Sequence, residues 1–84
     1  MPTKLELCIE IADSLWKCGP LTVEQLMSCL EVNSLLVDQQ LEFLVDQEMV
    51  KKEETGLGVT YIIAGRGIRV LEFFKVLSST RIAV

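Results

Sequence analysis

Apolar and polar positions follow a helical period through the first half of the chain and change to an extended pattern after residue 48. Thr3 and Glu6 stand at capping-box spacing, and Leu5, Cys8, Ile9, Ala12, Leu15 and Trp16 then recur on one face of a predicted helix. Gly19-Pro20 ends it, because Gly allows a positive-φ exit and Pro cannot continue the helix. Thr22 with Gln25 opens a second, two-turn helix over Val23 to Leu30, with Leu26, Cys29 and Leu30 expected inward. Asn33 is an N-cap for a third helix over Ser34 to Gln47, whose inner stripe is Val37, Leu41, Leu44 and Val45. Its outer face carries Ser34, Leu35, Asp38, Gln39, Glu42 and Asp46.

Two β-prone runs, Met49 to Glu54 and Val59 to Ala64, flank the loop Thr55-Gly56-Leu57-Gly58 and predict a hairpin. Gly65-Arg66-Gly67 is expected to break the second strand before a last helix from Ile68 to about Leu77. Ile68, Val70, Leu71, Phe73, Phe74, Val76 and Leu77 cover more of that helix than one small core can bury, which implies a second partner surface. Self-association is the simplest candidate, with Val70, Leu71, Phe73, Phe74 and Leu77 as candidate dimer contacts. Ser78 to Val84 has no helical period and is expected to fray, with Ile82 and Val84 available to a groove in the dimer.

With 84 residues the chain is long enough for one core, read as a single domain over 1-84 with its packed part at 4-77. Half of it is apolar, a high share for a small monomer. Twelve acids against eight bases give a net charge of −4, a poor balance for non-specific binding to nucleic acid or anionic membrane. The 33 residues between Lys17 and Lys51 contain no base, while Glu24, Glu31, Asp38, Glu42, Asp46 and Glu48 lie within them. No stretch approaches the ~20 apolar residues of a membrane span, and the chain reads as cytoplasmic. Cys8, Cys18 and Cys29 form no C-x-x-C pair and there is no His, so the thiols are expected to be small buried hydrophobes rather than metal ligands. The missing His, the absence of any nucleophile motif and the scattered carboxylates exclude the common catalytic arrangements, and neither an enzyme nor a bound cofactor is expected.

Helix, short helix, longer helix, hairpin and helix is the order of a winged helix-turn-helix domain, an α+β and mainly helical class. The runs Leu41-Glu42-Phe43-Leu44-Val45-Asp46-Gln47-Glu48-Met49-Val50 and Tyr61-Ile62-Ile63-Ala64-Gly65-Arg66-Gly67-Ile68-Arg69-Val70-Leu71-Glu72-Phe73 resemble the small archaeal winged-helix regulators. That resemblance implies a DNA-binding transcriptional regulator that dimerises through its C-terminal helix. It implies base reading from the start of helix three, with Ser34, Leu35 and Gln39 as candidates beside Asp38 and Glu42, and phosphate anchoring at Asn33, Lys51, Lys52, Arg66 and Arg69. This chain departs from the family at three places: Glu48 replaces a usual Gly, Ala64 a usual capping Thr, and the recognition helix is acidic. Lys51 and Lys52, followed at once by Glu53 and Glu54, read first as a solvated hairpin edge and only second as a phosphate clamp. Arg66 and Arg69 read first as partners of nearby acids or of a partner's carboxylates and only second as DNA contacts, and Trp16 reads as a core residue rather than a stacking platform. Acids beside the DNA-facing segment imply weak duplex affinity. The alternative is an adaptor whose acidic helix face binds a basic protein.

Overall fold

The computed structural model describes residues 3–56 and 58–83, with side chains described as far as Leu77. Helices α1 (Lys4–Cys18), α2 (Val23–Leu30) and α3 (Ser34–Asp46) precede strands β1 (Val50–Thr55) and β2 (Gly58–Ile63) and a closing helix α4 (Gly65–Ala83). This is a winged helix-turn-helix, with α2 and α3 as the crossing pair and the antiparallel hairpin as the wing.

Each of the first three helices starts where a side chain can satisfy its free amides. Thr3 accepts from the Glu6 amide at 3.1 Å. Thr22 and Gln25 form the full reciprocal box, at 3.2 and 2.9 Å. Asn33 accepts from the Leu36 amide at 3.0 Å and starts α3. Gly19 leaves α1 at a φ of 84°.

The core joins Leu7, Ile11 and Leu15 of α1 to Leu26 of α2 and Val37, Leu41 and Leu44 of α3, closed by Val50 and Leu71. Leu7 and Ile11, absent from the expected α1 stripe, are its centre, whereas Leu5 is 58% exposed and Ile9 half-buried. The expected stripe lies too far round because α1 has two apolar faces and the sequence does not rank them. Trp16 is half-buried rather than a core residue, with the Lys75 ammonium 4.8 Å from its ring centre. Of the three thiols only Cys8 is buried; Cys29, expected inward, is exposed, as is Cys18.

The hairpin register pairs Val50 with Ile63 and Lys52 with Tyr61. A feature the pattern does not show is an isolated bridge between Leu21 and Tyr61, whose two backbone bonds of 3.1 and 2.8 Å tie the loop before α2 to the wing. Leu57, at the wing tip, lies outside the described residues.

Two expectations about the last helix are corrected. Strand β2 ends at Ile63 as expected, but Gly65-Arg66-Gly67 already forms the first turn of α4, so the helix starts ahead of Ile68, and its backbone remains helical to Ala83, beyond the expected end at Leu77. No Gly or Pro lies between Ile68 and Ala83 to stop a helix once it has been nucleated. Helix α4 packs on α1 through Leu71, and the carboxylate of Asp13 clamps the pair, lying 2.9 Å from Lys17 and 3.5 Å from Lys75. The hydrogen bond from Lys17, helped by both positive charges and opposed by burial, holds Asp13 below the usual carboxylate range.

Gly67 is where α4 meets the rest of the molecule most closely. A methyl there would collide with the Met49 carbonyl and lie 2.9 Å from Ile63 Cγ1, whereas a methyl at Gly65 meets open space. Gly67→Ala is expected to cost about 1–3 kcal/mol through overpacking, and Gly65→Ala to gain up to about 1 kcal/mol in helix propensity. Urea midpoints at unchanged slope measure both, and equal shifts would contradict the asymmetry.

Candidate nucleic-acid interface

Helix α3 presents its outer face because its inner face is fixed. Val37, Leu41 and Leu44 are buried, and the buried Gln40 accepts the Cys8 thiol hydrogen bond at 3.1 Å, joining α3 to α1. Burial pushes the Cys8 thiol up, which keeps the proton that this bond requires. On the far side Ser34, Leu35, Asp38, Gln39, Glu42 and Asp46 are all exposed.

The wing is set against α3 by the turn after it. The Met49 amide bonds back to the Leu44 carbonyl at 2.9 Å and the Glu48 amide to Val45 at 3.0 Å, a Schellman motif. Glu48 takes the left-handed position at φ 60°, where Gly is normally preferred, and Glu31 does the same after α2 at φ 56°. The departure at residue 48 therefore carries a real conformational cost. This geometry places Lys52 in a cleft with Glu42, Val45, Asp46 and Tyr61, and Lys51 and Lys52 in a neighbouring one with Glu48 and Glu53.

Of the expected contact residues, Ser34, Leu35 and Gln39 are exposed on the N-terminal half of α3, whereas Lys51 and Lys52 lie beside its C-terminal end, in the clefts with Glu42, Val45, Asp46 and Glu48. Asn33 is exposed, but its side-chain oxygen is committed to the α3 cap. Arg66 and Arg69 are exposed on the first turns of α4 and line neither cleft. Among the described residues they form no ion pair, so the expected neutralisation of nearby acids is not seen within the chain.

A separate apolar groove lies between α1, α4 and the end of α3, lined by Leu5, Ile9, Phe43, Val70 and Phe74 among others. Leu71 lines its floor but is only 2% exposed, so this expected dimer contact belongs to the core of the chain itself. Phe73, Val76 and Leu77 are exposed. Leu5, Phe43 and Val76 are surface apolar residues outside the expected contact set; the spacing of Leu5 four residues before Ile9 is the signal that points to the first of them.

No family model matches the chain, and no curated protein matches it in sequence. Solved structures do. Mycobacterium tuberculosis RV1404 superposes with a TM-score of 0.84 at 19% identity, covering 92% of this chain and 54% of that one. A MarR family transcription regulator, SP03579, gives 0.82 at 15% identity over 92% and 53%. A mutant MarR from E. coli, complexed with operator DNA, gives 0.72 at 19% over 77% and 49%. The chain spans about half the length of these proteins. At such identities the likeness establishes the fold, and that fold is the winged helix found in MarR-type regulators.

Replacing Glu48 by Gly should relieve the left-handed strain and stabilise the chain by about 0.5–1 kcal/mol. The urea midpoint would rise; a fall would show that the Glu48 side chain is needed where it stands.

Proposed function

We propose that the chain is a winged-helix DNA-binding transcriptional regulator that acts as a homodimer and has weak intrinsic affinity for duplex DNA. The observation that carries this reading is the exposed outer face of α3 with the wing lysines beside it, on a fold shared with a protein solved on operator DNA. Lys51 and Lys52 supply phosphate contacts, and Arg66 and Arg69 add to them where a second copy or a bent duplex brings α4 within reach. With about four bases per subunit, a dimer neutralises at most about eight phosphates, and the carboxylates of Asp38, Glu42 and Asp46 offset part of that gain.

The test is duplex binding measured across salt concentration. Replacing Lys51 and Lys52 by Ala should weaken binding of every sequence alike and lower the slope of log affinity against log salt by about 3–4 per dimer. An unchanged slope would remove the wing from the interface.

The dimer reading rests on Phe73, Val76 and Leu77, exposed on α4, and on the groove through Val70 and Phe74. Phe73→Asp with Leu77→Asp should yield a soluble monomer, whereas Leu71→Asp would place a carboxylate in the core and unfold the chain. An unchanged sedimentation coefficient for the double variant would contradict the α4 interface.

A second reading, an adaptor for a basic protein, is favoured by one feature: Asp38, Glu42 and Asp46 are exposed and form no ion pair among the described residues. It predicts that DNA binding vanishes by ~0.15 M salt while a basic protein stays bound.

A further inference from the structure

The outer face of α3 is chemically narrow, and that narrowness limits which base pairs it can read. At about 100° per residue, Leu35, Asp38, Gln39, Glu42 and Asp46 fall within an arc of about 100°. All five are exposed, and Leu35 is 65% exposed on the first turn with Gln39 one turn further along the same face. The Gln39 amide makes no side-chain hydrogen bond among the described residues, in contrast to its neighbour Gln40, which is buried against Cys8. The arc therefore offers one free amide, one aliphatic side chain and carboxylates, with no cation.

In the major groove adenine presents an acceptor at N7 and a donor at N6, thymine a 5-methyl group, and guanine two acceptors. An amide matches adenine with two hydrogen bonds, and an aliphatic chain matches the thymine methyl. A guanine edge meets carboxylates, acceptor against acceptor. A cytosine amino group would satisfy one carboxylate, but its guanine partner brings two acceptors for which the arc holds no cation.

We infer that α3 reads A·T base pairs, Gln39 holding adenine through N6 and N7, Leu35 packing on the thymine methyl, and Asp38 and Glu42 rejecting guanine. The inference rests on the DNA-binding reading above and adds the class of operator. Leu35 and Gln39 are the residues that set specificity, and the phosphate-binding lysines take no part in it.

Selection by the full chain from a random-core duplex library at low salt, followed by replacement of each core thymine with deoxyuridine, tests it. The expected result is cores rich in A·T whose affinity falls roughly fourfold for each contacted thymine, the ratio that one buried methyl group supplies. Leu35→Ala, a change at an exposed position that leaves the helical circular dichroism unaltered, should bind the thymine and deoxyuridine duplexes alike. Guanine-rich cores, or a wild-type chain indifferent to deoxyuridine, would overturn the inference and leave DNA binding standing. Retention of no duplex at all would overturn both.

Discussion

The peptide unit at Met49 holds the working parts of this molecule together. Its amide closes the Schellman motif on Leu44 at the end of α3, and its carbonyl accepts the Ala64 amide at 3.0 Å, where β2 gives way to α4. The same carbonyl sits against Gly67, so α4 can approach only because residue 67 has no side chain. Helix α3, the wing and the closing helix thus share one joint. Glu48 enters that joint in a left-handed conformation, a cost tolerated because both flanking hydrogen bonds and the burial of Val50 depend on the turn.

From that joint follows the electrostatic problem. The turn sets the wing lysines beside the acidic rim of α3, so that Lys52 shares a cleft with Glu42 and Asp46. Attraction to phosphate and repulsion from it are therefore supplied by adjacent side chains. A surface of this kind gains little from counterion release, so under the proposed DNA-binding function discrimination rests on base-edge contacts and on the doubling of half-sites in the proposed dimer. The apolar outer residues of α4 and the groove behind Phe43 place the proposed self-association surface near the C-terminal end of α3.

Much of this was legible in the residues. The caps at Thr3, Thr22 and Asn33, the bounds of α2, the inner stripe of α3 and the hairpin all follow from local rules, because capping and periodicity act over a few residues. The positive φ at residue 48 was readable too, as the cost of a Glu where Gly belongs. What the sequence concealed depends on packing between distant elements. Leu7 and Ile11 take the core while Leu5 and Ile9 face α4; Cys29 turns outward; Leu71 turns inward; and Gly67 is a close contact point inside α4. The Leu21–Tyr61 bridge and the Asp13–Lys75 clamp join residues far apart in the chain, and no local pattern announces either. The candidate interface was legible as a set of residue types but not as an arrangement: Lys51 and Lys52 border α3, whereas Arg66 and Arg69 ride on a different helix.

The central claim is that the outer face of α3 and the adjoining wing strand form the surface that meets DNA. An amide chemical-shift titration of the full chain with a short duplex at low salt tests it most directly. The account predicts perturbations concentrated at Ser34, Leu35, Gln39, Lys51 and Lys52, with the core amides of α1 unmoved. Perturbations confined to α1 and α4, or none at any duplex concentration, would contradict it.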